Sequence, residues 1–177
     1  VEAALRGGVA IYSAHTNLDC ASRGVSSEMA RMLHLENCKV LSPSPDGNGN
    51  TGLGIVGNIS PTPAIEFLRH LKETFEVKAL RYSAQSPQLV IRRVALCGGS
   101  GAEFIPQAKA AGADIYVSGD IKYHDFTTHA SDILIADIGH YESEVCVRKL
   151  FARILREQLP DLVTHTAESD RNPIGIL

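Results

Sequence analysis

The chain has 177 residues, of which 44% are hydrophobic and 21% are charged, and its formal net charge is -3. These totals are typical of a globular protein that can bury a sizeable core. Because the net charge is negative, no overall basic field favours a nucleic acid or an anionic membrane as a partner. The sequence also lacks an apolar run long enough to span a bilayer.

The first part of the chain predicts a strand, a helix, a loop and a second helix. The strand is VAIYSA (9–14), and the spacing of apolar residues predicts a helix over SSEMARMLHLEN (26–37). The stretch SPSPDGNGNTG (42–52) is rich in turn formers and predicts a loop. A helix with prolines in its first turn follows at PTPAIEFLRHLKETF (61–75).

From residue 77 onward the pattern alternates strands with helices. VKALRYS and VIRRVALC predict strands whose arginines face solvent. ADIYVSG (113–119) and DILIADIG (132–139) predict two more strands, and HYESEVCVRKLFARILREQL (140–159) predicts one long helix. This alternation indicates an α/β fold with a largely parallel sheet and helices on both faces. Without an internal repeat or a linker, we interpret residues 1–177 as a single domain.

The four cysteines lie far apart in the sequence and form no CxxC pair. They are Cys20, Cys38, Cys97 and Cys146. This spacing favours buried thiols in a reducing compartment over a disulfide framework or a zinc knuckle. The predicted location is therefore the cytoplasm.

Histidine and carboxylate side chains directly follow three of the predicted strands. They are His15 and Asp19 after residue 14, Asp120, Lys122, Tyr123, His124 and Asp125 after residue 118, and His140, Glu142 and Glu144 after residue 137. In an open parallel sheet, functional groups gather beyond the carboxyl ends of the strands. A mixed imidazole and carboxylate set suits zinc, iron or manganese. Two such ions would activate a water and hold an oxygen of the substrate.

Each of these side chains also has a structural interpretation. A histidine or a glutamate in the first turn of a helix can cap the helix or favour its dipole, which applies to His140, Glu142 and Glu144. Asp19 can cap a turn, and His15 can form a local hydrogen bond. The segment GGSG after a strand is usually only a tight turn, since no GK[ST] follows it. The residues alone leave the metal site and the structural interpretation open.

Four segments together resemble a known family. YSAHTNLD, VALCGGSG, YVSGDIKYHD and IADIGHYESE, in this order and spacing, are similar to the GTP cyclohydrolase 1 type 2 homologues, also called NIF-three-like proteins. The resemblance implies two divalent metal ions inside a ring-shaped homo-oligomer, usually a hexamer. By motif it implies that Asp19, His140 and Glu144 are metal ligands, with Glu144 bridging the ions. It places His15 and His124 around the metals, as tentative catalytic groups.

The family's other metal ligands are an adjacent pair of histidines upstream of HTNLD, and this sequence contains no such pair. Its opening, VEAALRGG, has no initiator methionine and is typical of a helix that ends on a glycine cap. We therefore expect that an N-terminal segment of the full-length protein precedes it.

The family name implies that a metal-activated water opens the guanine ring of GTP and releases formate. The resulting hypothesis is a metal-dependent hydrolase of a nucleotide or another phosphorylated small molecule. Lys122 would then face phosphate, and His124 or His15 would transfer protons. The alternative is a non-catalytic metal-binding protein with a regulatory or scaffold role. Only catalysis predicts that His124→Ala abolishes turnover while the metal stays bound.

Overall fold

A computed structural model describes residues 1–45, 49–84 and 88–177 and contains a six-stranded sheet covered by helices. The strands are β1 (Glu36–Pro43), β2 (Gly52–Pro63), β3 (Arg81–Tyr82), β4 (Val90–Ser100), β5 (Ile115–Gly119) and β6 (Leu134–Asp137). The helices are α1 (Glu2–Arg6), α2 (Thr16–Asp19), α3 (Val25–Met32), α4 (Ala64–Thr74), α5 (Ile105–Ala110), α6 (Tyr123–His129), α7 (His140–Glu144) and α8 (Val147–Gln158). A short 3₁₀ turn, Ala102–Phe104, precedes α5.

The strand order is β1-β2-β4-β5-β6-β3. Strands β4, β5 and β6 run parallel. The pairs β1–β2, β2–β4 and β3–β6 are antiparallel. The predicted α/β class is confirmed, but the sheet is mixed where a largely parallel one was expected. The difference arises because residues 36–43, predicted to lie mostly outside any strand, pair with β2 as a hairpin, and hairpin strands are antiparallel.

Helices cover both faces of the sheet, as predicted. Along β4, Val94 and Leu96 point to one face and pack with residues of α3 and α4. Ala95 and Cys97 point to the other face and pack with residues of α5. This alternation follows from the two-residue period of a strand. Within the described ranges, no helix is both long and apolar enough to cross a membrane.

Two of the cysteines are buried thiols, as predicted. Burial raises the pKa of Cys97 to about 12 and that of Cys146 to about 11. Cys38 is exposed and Cys20 is half-buried. The expectation of buried thiols is therefore correct for two of the four.

Several predicted boundaries are wrong. Residues 9–14 form no strand and pair with none of the described strands, so Ile11 and Tyr12 remain 67% and 76% exposed. The helix predicted over 26–37 ends at Met32, because His34 turns the backbone into the left-handed region at φ 55°. The long helix predicted over 140–159 is divided into α7 and α8. The loop predicted over 42–52 includes residues 46–48, which lie outside the described residues.

Helices α3 and α8 are joined by a buried carboxylate. Glu28, in α3, is 4% exposed and pairs with Arg31 at 2.7 Å and with Arg153 of α8 at 2.6 Å. Hydrogen bonds from Arg31, and then from Arg153, lower the pKa of Glu28 to about 2. A carboxylate with a lowered pKa stabilises the fold above its ordinary pKa, and this contribution is lost as the pH falls through the lowered value.

We therefore expect Glu28→Gln to lower the free energy of unfolding at pH 7 by about 1–3 kcal/mol, because two guanidinium groups lose a charged partner. Urea denaturation of this variant and of wild type measures the difference. The difference should shrink as the pH falls from 4.5 towards about 2, where Glu28 becomes protonated in wild type. Glu66→Gln, at an exposed position of α4, is the matched control. A pH-independent difference would contradict the assignment.

Candidate functional site

The site lies where the parallel strands β5 and β6 end side by side. Ser118 of β5 is paired with Asp137 of β6. Asp120 follows β5 directly, and His140 begins α7 as the third residue after β6. Gly139, at φ 91°, makes the turn between β6 and α7, a conformation that glycine adopts without strain. The expectation that polar groups follow the carboxyl ends of these strands is confirmed for this pair.

His140 lies between two carboxylates. Its Nδ1 is 2.7 Å from Oδ2 of Asp120, and its Nε2 is 3.3 Å from Oε2 of Glu144. The hydrogen bond with Asp120 is the main cause that raises the pKa of His140, while partial burial opposes the shift and the charge of Glu144 adds to it. A carboxylate on one ring nitrogen fixes the orientation of the ring and leaves the other nitrogen for a ligand.

Asp120 holds this position in a backbone conformation that few residues adopt. Its φ is 54°, in the left-handed region. Aspartate tolerates this region better than most residues, because its short side chain hydrogen-bonds locally. The sequence offered Asp120 as one of several polar residues after β5, but its spacing did not reveal that it partners His140.

Asp19, at the end of α2, is within electrostatic range of the same group. Burial is the main cause that raises its pKa, and the charge of Glu144 raises it further. His15 and His140 act in the opposite direction. Two carboxylates that disfavour each other's charge form a site that a cation would stabilise.

Close backbone contacts enclose the His140 turn. Ser143 is fully buried; its hydroxyl accepts a hydrogen bond from Gly99 N at 2.9 Å and donates one to the His140 carbonyl at 2.8 Å. A Cβ atom at Gly99 would lie 2.3 Å from Oε1 of Glu144. A Cβ atom at Gly119 would lie 2.7 Å from His140 N. The glycines of GGSG and VSG therefore let α7 approach the sheet, which is a packing role that a glycine after a strand does not reveal in sequence.

Gly99→Ala is expected to displace the Glu144 carboxylate, because the added methyl group occupies its place. The matched control is Gly112→Ala, which has a similar φ of +71° but no atom within 4 Å of the added Cβ. Both variants should lose about 1 kcal/mol of stability from backbone strain. Only Gly99→Ala should weaken binding of a divalent ion, by roughly tenfold or more. Titration with Zn²⁺ or Mn²⁺ checks this, and equal affinities in the two variants would contradict the role of Glu144.

The carboxylate of Asp137 connects the turn after β5 to the turn after β6. Asp137 is 3% exposed and forms an ion pair with Arg81 of β3. Its Oδ2 also accepts a hydrogen bond from Ile121 N at 3.0 Å, and its Oδ1 accepts one from Gly139 N at 2.9 Å. Arg81 in turn donates to the Ile121 carbonyl at 2.9 Å. The pair thus connects the turn that carries Asp120 to the turn that carries His140. The Arg81 side chain is 60% exposed, as the sequence predicted, while its guanidinium group reaches the buried carboxylate.

A cleft opens beside His140, with a volume of about 690 Å³. This volume is in the range of small-molecule sites in proteins. Its polar end contains Asp120, His140 and Glu144, and most of its other walls are apolar. Part of one wall is the segment 170–176, which is anchored where Asn172 donates a hydrogen bond to Glu142 at 2.8 Å. Sequence patterns did not indicate that this segment reaches the site.

The described contacts join neither of the other two predicted histidines to His140. His15 occupies the N-cap position of α2 without a side-chain capping bond, and its Nδ1 is 2.9 Å from the Thr16 hydroxyl. His124 lies on α6, where its ring contacts that of Tyr123 edge-to-face at 5.6 Å. Among the contacts of the described residues, none joins His124 to His140, and the role predicted for His124 stays a prediction.

The donor chemistry of His140, Glu144 and Asp19 fits a divalent cation, since imidazole and carboxylate are ligands of zinc, iron and manganese. The repulsion between Asp19 and Glu144 also favours a cation at this position. As folded, residues 1–45, 49–84 and 88–177 bring no group of three or more His, Cys, Asp or Glu side chains close enough to hold an ion. Holding an ion with all three side chains therefore requires that Asp19 approach the His140–Glu144 pair.

Comparisons with known proteins agree with the architecture. Two relatives named GTP cyclohydrolase 1 type 2 homolog are similar to this chain. The one from Streptococcus pneumoniae is 38% identical and is matched over 81% of this chain and 55% of its own length. The one from Lactococcus lactis is 33% identical and is matched over 95% of this chain and 64% of its own length. The chain thus spans between about half and two thirds of these relatives.

Solved structures show the same fold. The crystal structure of a Bacillus cereus protein related to NIF3 has a TM-score of 0.88 at 22% identity, over 99% of this chain and 76% of that one. The model of the family described as Duf34/NIF3 (NGG1p interacting factor 3) matches residues 1–173. The family predicted from the four sequence segments is therefore confirmed, and the chain belongs to the Duf34/NIF3 family.

Proposed function

We propose that this chain binds divalent metal ions through His140, Glu144 and Asp19, and that the full-length protein is a metal-dependent hydrolase of a nucleotide or another phosphorylated small molecule. The observation that carries the proposal is the placement of His140 between Asp120 and Glu144 at the polar end of a cleft of about 690 Å³. A well-formed apolar cleft with a few convergent polar groups is where a small-molecule site is expected. The names of the relatives support a nucleotide as the substrate.

Each residue of the proposed metal site has a separate role. Asp120 orients the His140 ring through Nδ1, which leaves Nε2 and the Glu144 carboxylate as the groups that would hold an ion. Asp19 would add a second carboxylate from α2 on approaching this pair. Zinc, iron or manganese bound there, two ions per full-length chain, would supply an activated water. The apolar walls of the cleft would pack against the apolar parts of a ligand.

Proton transfer is the role we propose for His15. It is exposed at the start of α2, and its charge acts on Asp19. The ring homo-oligomer that the family resemblance implies is part of the same proposal, and light scattering on the full-length protein tests it.

The experiment is a turnover assay of the full-length protein with GTP and Zn²⁺, Fe²⁺ or Mn²⁺, in which released formate and phosphate are measured. Wild type should release product in a metal-dependent manner, and His140→Ala should lose at least a hundredfold in rate. His34→Ala, at an exposed turn outside the cleft, is the control and should match wild type. Release of neither product by a metal-loaded protein would contradict the hydrolase.

One observation favours the alternative, a non-catalytic metal-binding protein. Asp19 and Glu144 carry like negative charges, so a cation would stabilise the junction of α2 and α7 whether or not a reaction follows. In that case the metal should raise the melting temperature of the full-length protein while no substrate is turned over.

A further inference from the structure

We propose that Arg148 is the phosphate-binding residue of the cleft. Asp170 pairs with Arg148 until the phosphate group of a ligand replaces the Asp170 carboxylate. The inference deepens the proposed function and rests on it for the identity of the ligand. The affinity of Arg148 for phosphate, however, is measurable without any turnover.

The two guanidinium groups that line the cleft differ in their partners. Arg81 is committed to the buried carboxylate of Asp137 and to the Ile121 carbonyl. Arg148 contacts Asp170 at 3.4 Å, and the two side chains are 36% and 44% exposed. An ion pair that is long and open to solvent is weak and exchanges readily. Arg148 is therefore the lining cation that a ligand can recruit.

Asp170 lies on an exposed segment that two described side-chain contacts hold beside the cleft. Residues 159–177 contain no helix or strand, and most of them are exposed. The segment is held near His140 by the hydrogen bond from Asn172 to Glu142 and by the ion pair of Asp170 with Arg148. The carboxylate of Asp170 thus stands where the anionic group of a ligand would bind, and a dianionic phosphate forms the stronger charge-assisted contact with a guanidinium group.

The distance to His140 suits a nucleotide. Arg148 lies eight positions after His140, and Val145 and Cys146 between α7 and α8 keep helical backbone angles. At 1.5 Å per residue, the two positions are roughly 12 Å apart along this path. A ligand with its reacting ring at His140 would therefore reach Arg148 with a phosphate.

The remaining charged residues that line the cleft explain why a phosphate group would need Arg148. They are Asp120, Glu142 and Glu144, which make the polar end anionic, and Asp137, which is paired with Arg81. A phosphate group would be repelled at the polar end unless divalent ions offset these charges. Arg148 offers the phosphate a cationic partner eight positions beyond His140.

The test uses inorganic pyrophosphate as the probe and the metal-free full-length protein in EDTA, so that no metal ion contributes to binding. The Nε–Hε signal of Arg148, identified by its loss in Arg148→Gln, is followed by NMR during titration. We expect a saturable shift of this signal. Asp170→Asn should lower the dissociation constant roughly twofold to fivefold, because the competing carboxylate is removed. Asp161→Asn, an equal charge change in the same segment, should leave it at the wild-type value.

Absence of a saturable shift, or the same change in Asp170→Asn and Asp161→Asn, would overturn the inference. The result is independent of catalysis. Pyrophosphate binding at Arg148 in a protein without turnover would support the inference and reject the hydrolase. Turnover of GTP without a response at Arg148 would reject the inference and support the hydrolase.

Discussion

Arg81→Met is expected to lower the free energy of unfolding by about 2–4 kcal/mol. The substitution leaves the Asp137 carboxylate, which is 3% exposed, without its only cationic partner among the described contacts. Asp137 is buried although Arg81 is 60% exposed. Removing Arg81 therefore leaves a buried charge uncompensated, and the two backbone hydrogen bonds from Ile121 and Gly139 only partly offset this. Urea denaturation measures the loss.

Arg92→Met is the matched control, because Arg92 is exposed in β4 and, among contacts with the described residues, its guanidinium donates only to a carbonyl at 3.5 Å. It should change stability by less than about 0.5 kcal/mol. The double variant Arg81→Met/Asp137→Asn should recover part of the loss, since a neutral amide needs no counter-charge. If Arg81→Met behaved like Arg92→Met, Asp137 would not depend on Arg81.

Gly119→Ala is expected to lower stability by about 2–3 kcal/mol and to disrupt the His140 site. The added Cβ would lie 2.7 Å from His140 N and 2.8 Å from the carbonyl carbon of Gly139. Both are backbone atoms, so the turn between β6 and α7 has to move as a whole, and overpacking of this kind destabilises a fold. The hydrogen bond between Asp120 and His140 should lengthen or break as a result.

Two measurements check this variant: urea denaturation for stability, and the ¹⁵N chemical shifts of the His140 ring for the hydrogen bond. Gly175→Ala is the control, because an added Cβ there meets no atom within 4 Å. Wild-type ring shifts in Gly119→Ala would show that the turn adapts without moving His140.

The alternating second half of the chain could be predicted because its strands are short and apolar, although the boundary between α7 and α8 was missed. ADIYVSG and DILIADIG correspond to β5 and β6. The first half was harder for a physical reason. The strand β1 is mostly exposed and contains no apolar alternation, and it exists because it pairs with β2. VAIYSA has the composition of a strand but no described partner, and pairing rather than composition decides whether a strand forms.

The candidate site was predictable where the motif placed a residue directly after a strand. His140 and Glu144 share one face of α7, as their four-residue spacing predicts. The parts that depend on distant segments were not predictable. Asp120 reaches His140 from the neighbouring strand end, Arg81 reaches Asp137 across the sheet edge, and Asp170 approaches Arg148 from beyond α8. No local spacing in the sequence contains these contacts.

Metal content per chain, measured by plasma mass spectrometry on the full-length protein, tests the central claim most directly. We expect close to two divalent ions per wild-type chain and a sharp fall in His140→Ala, because that substitution removes the imidazole between Asp120 and Glu144. His34→Ala should retain the wild-type content. A full-length protein with little or no metal, or one whose content is the same in His140→Ala, would contradict the claim, and GHYESE would then be the start of a helix with favourable charges.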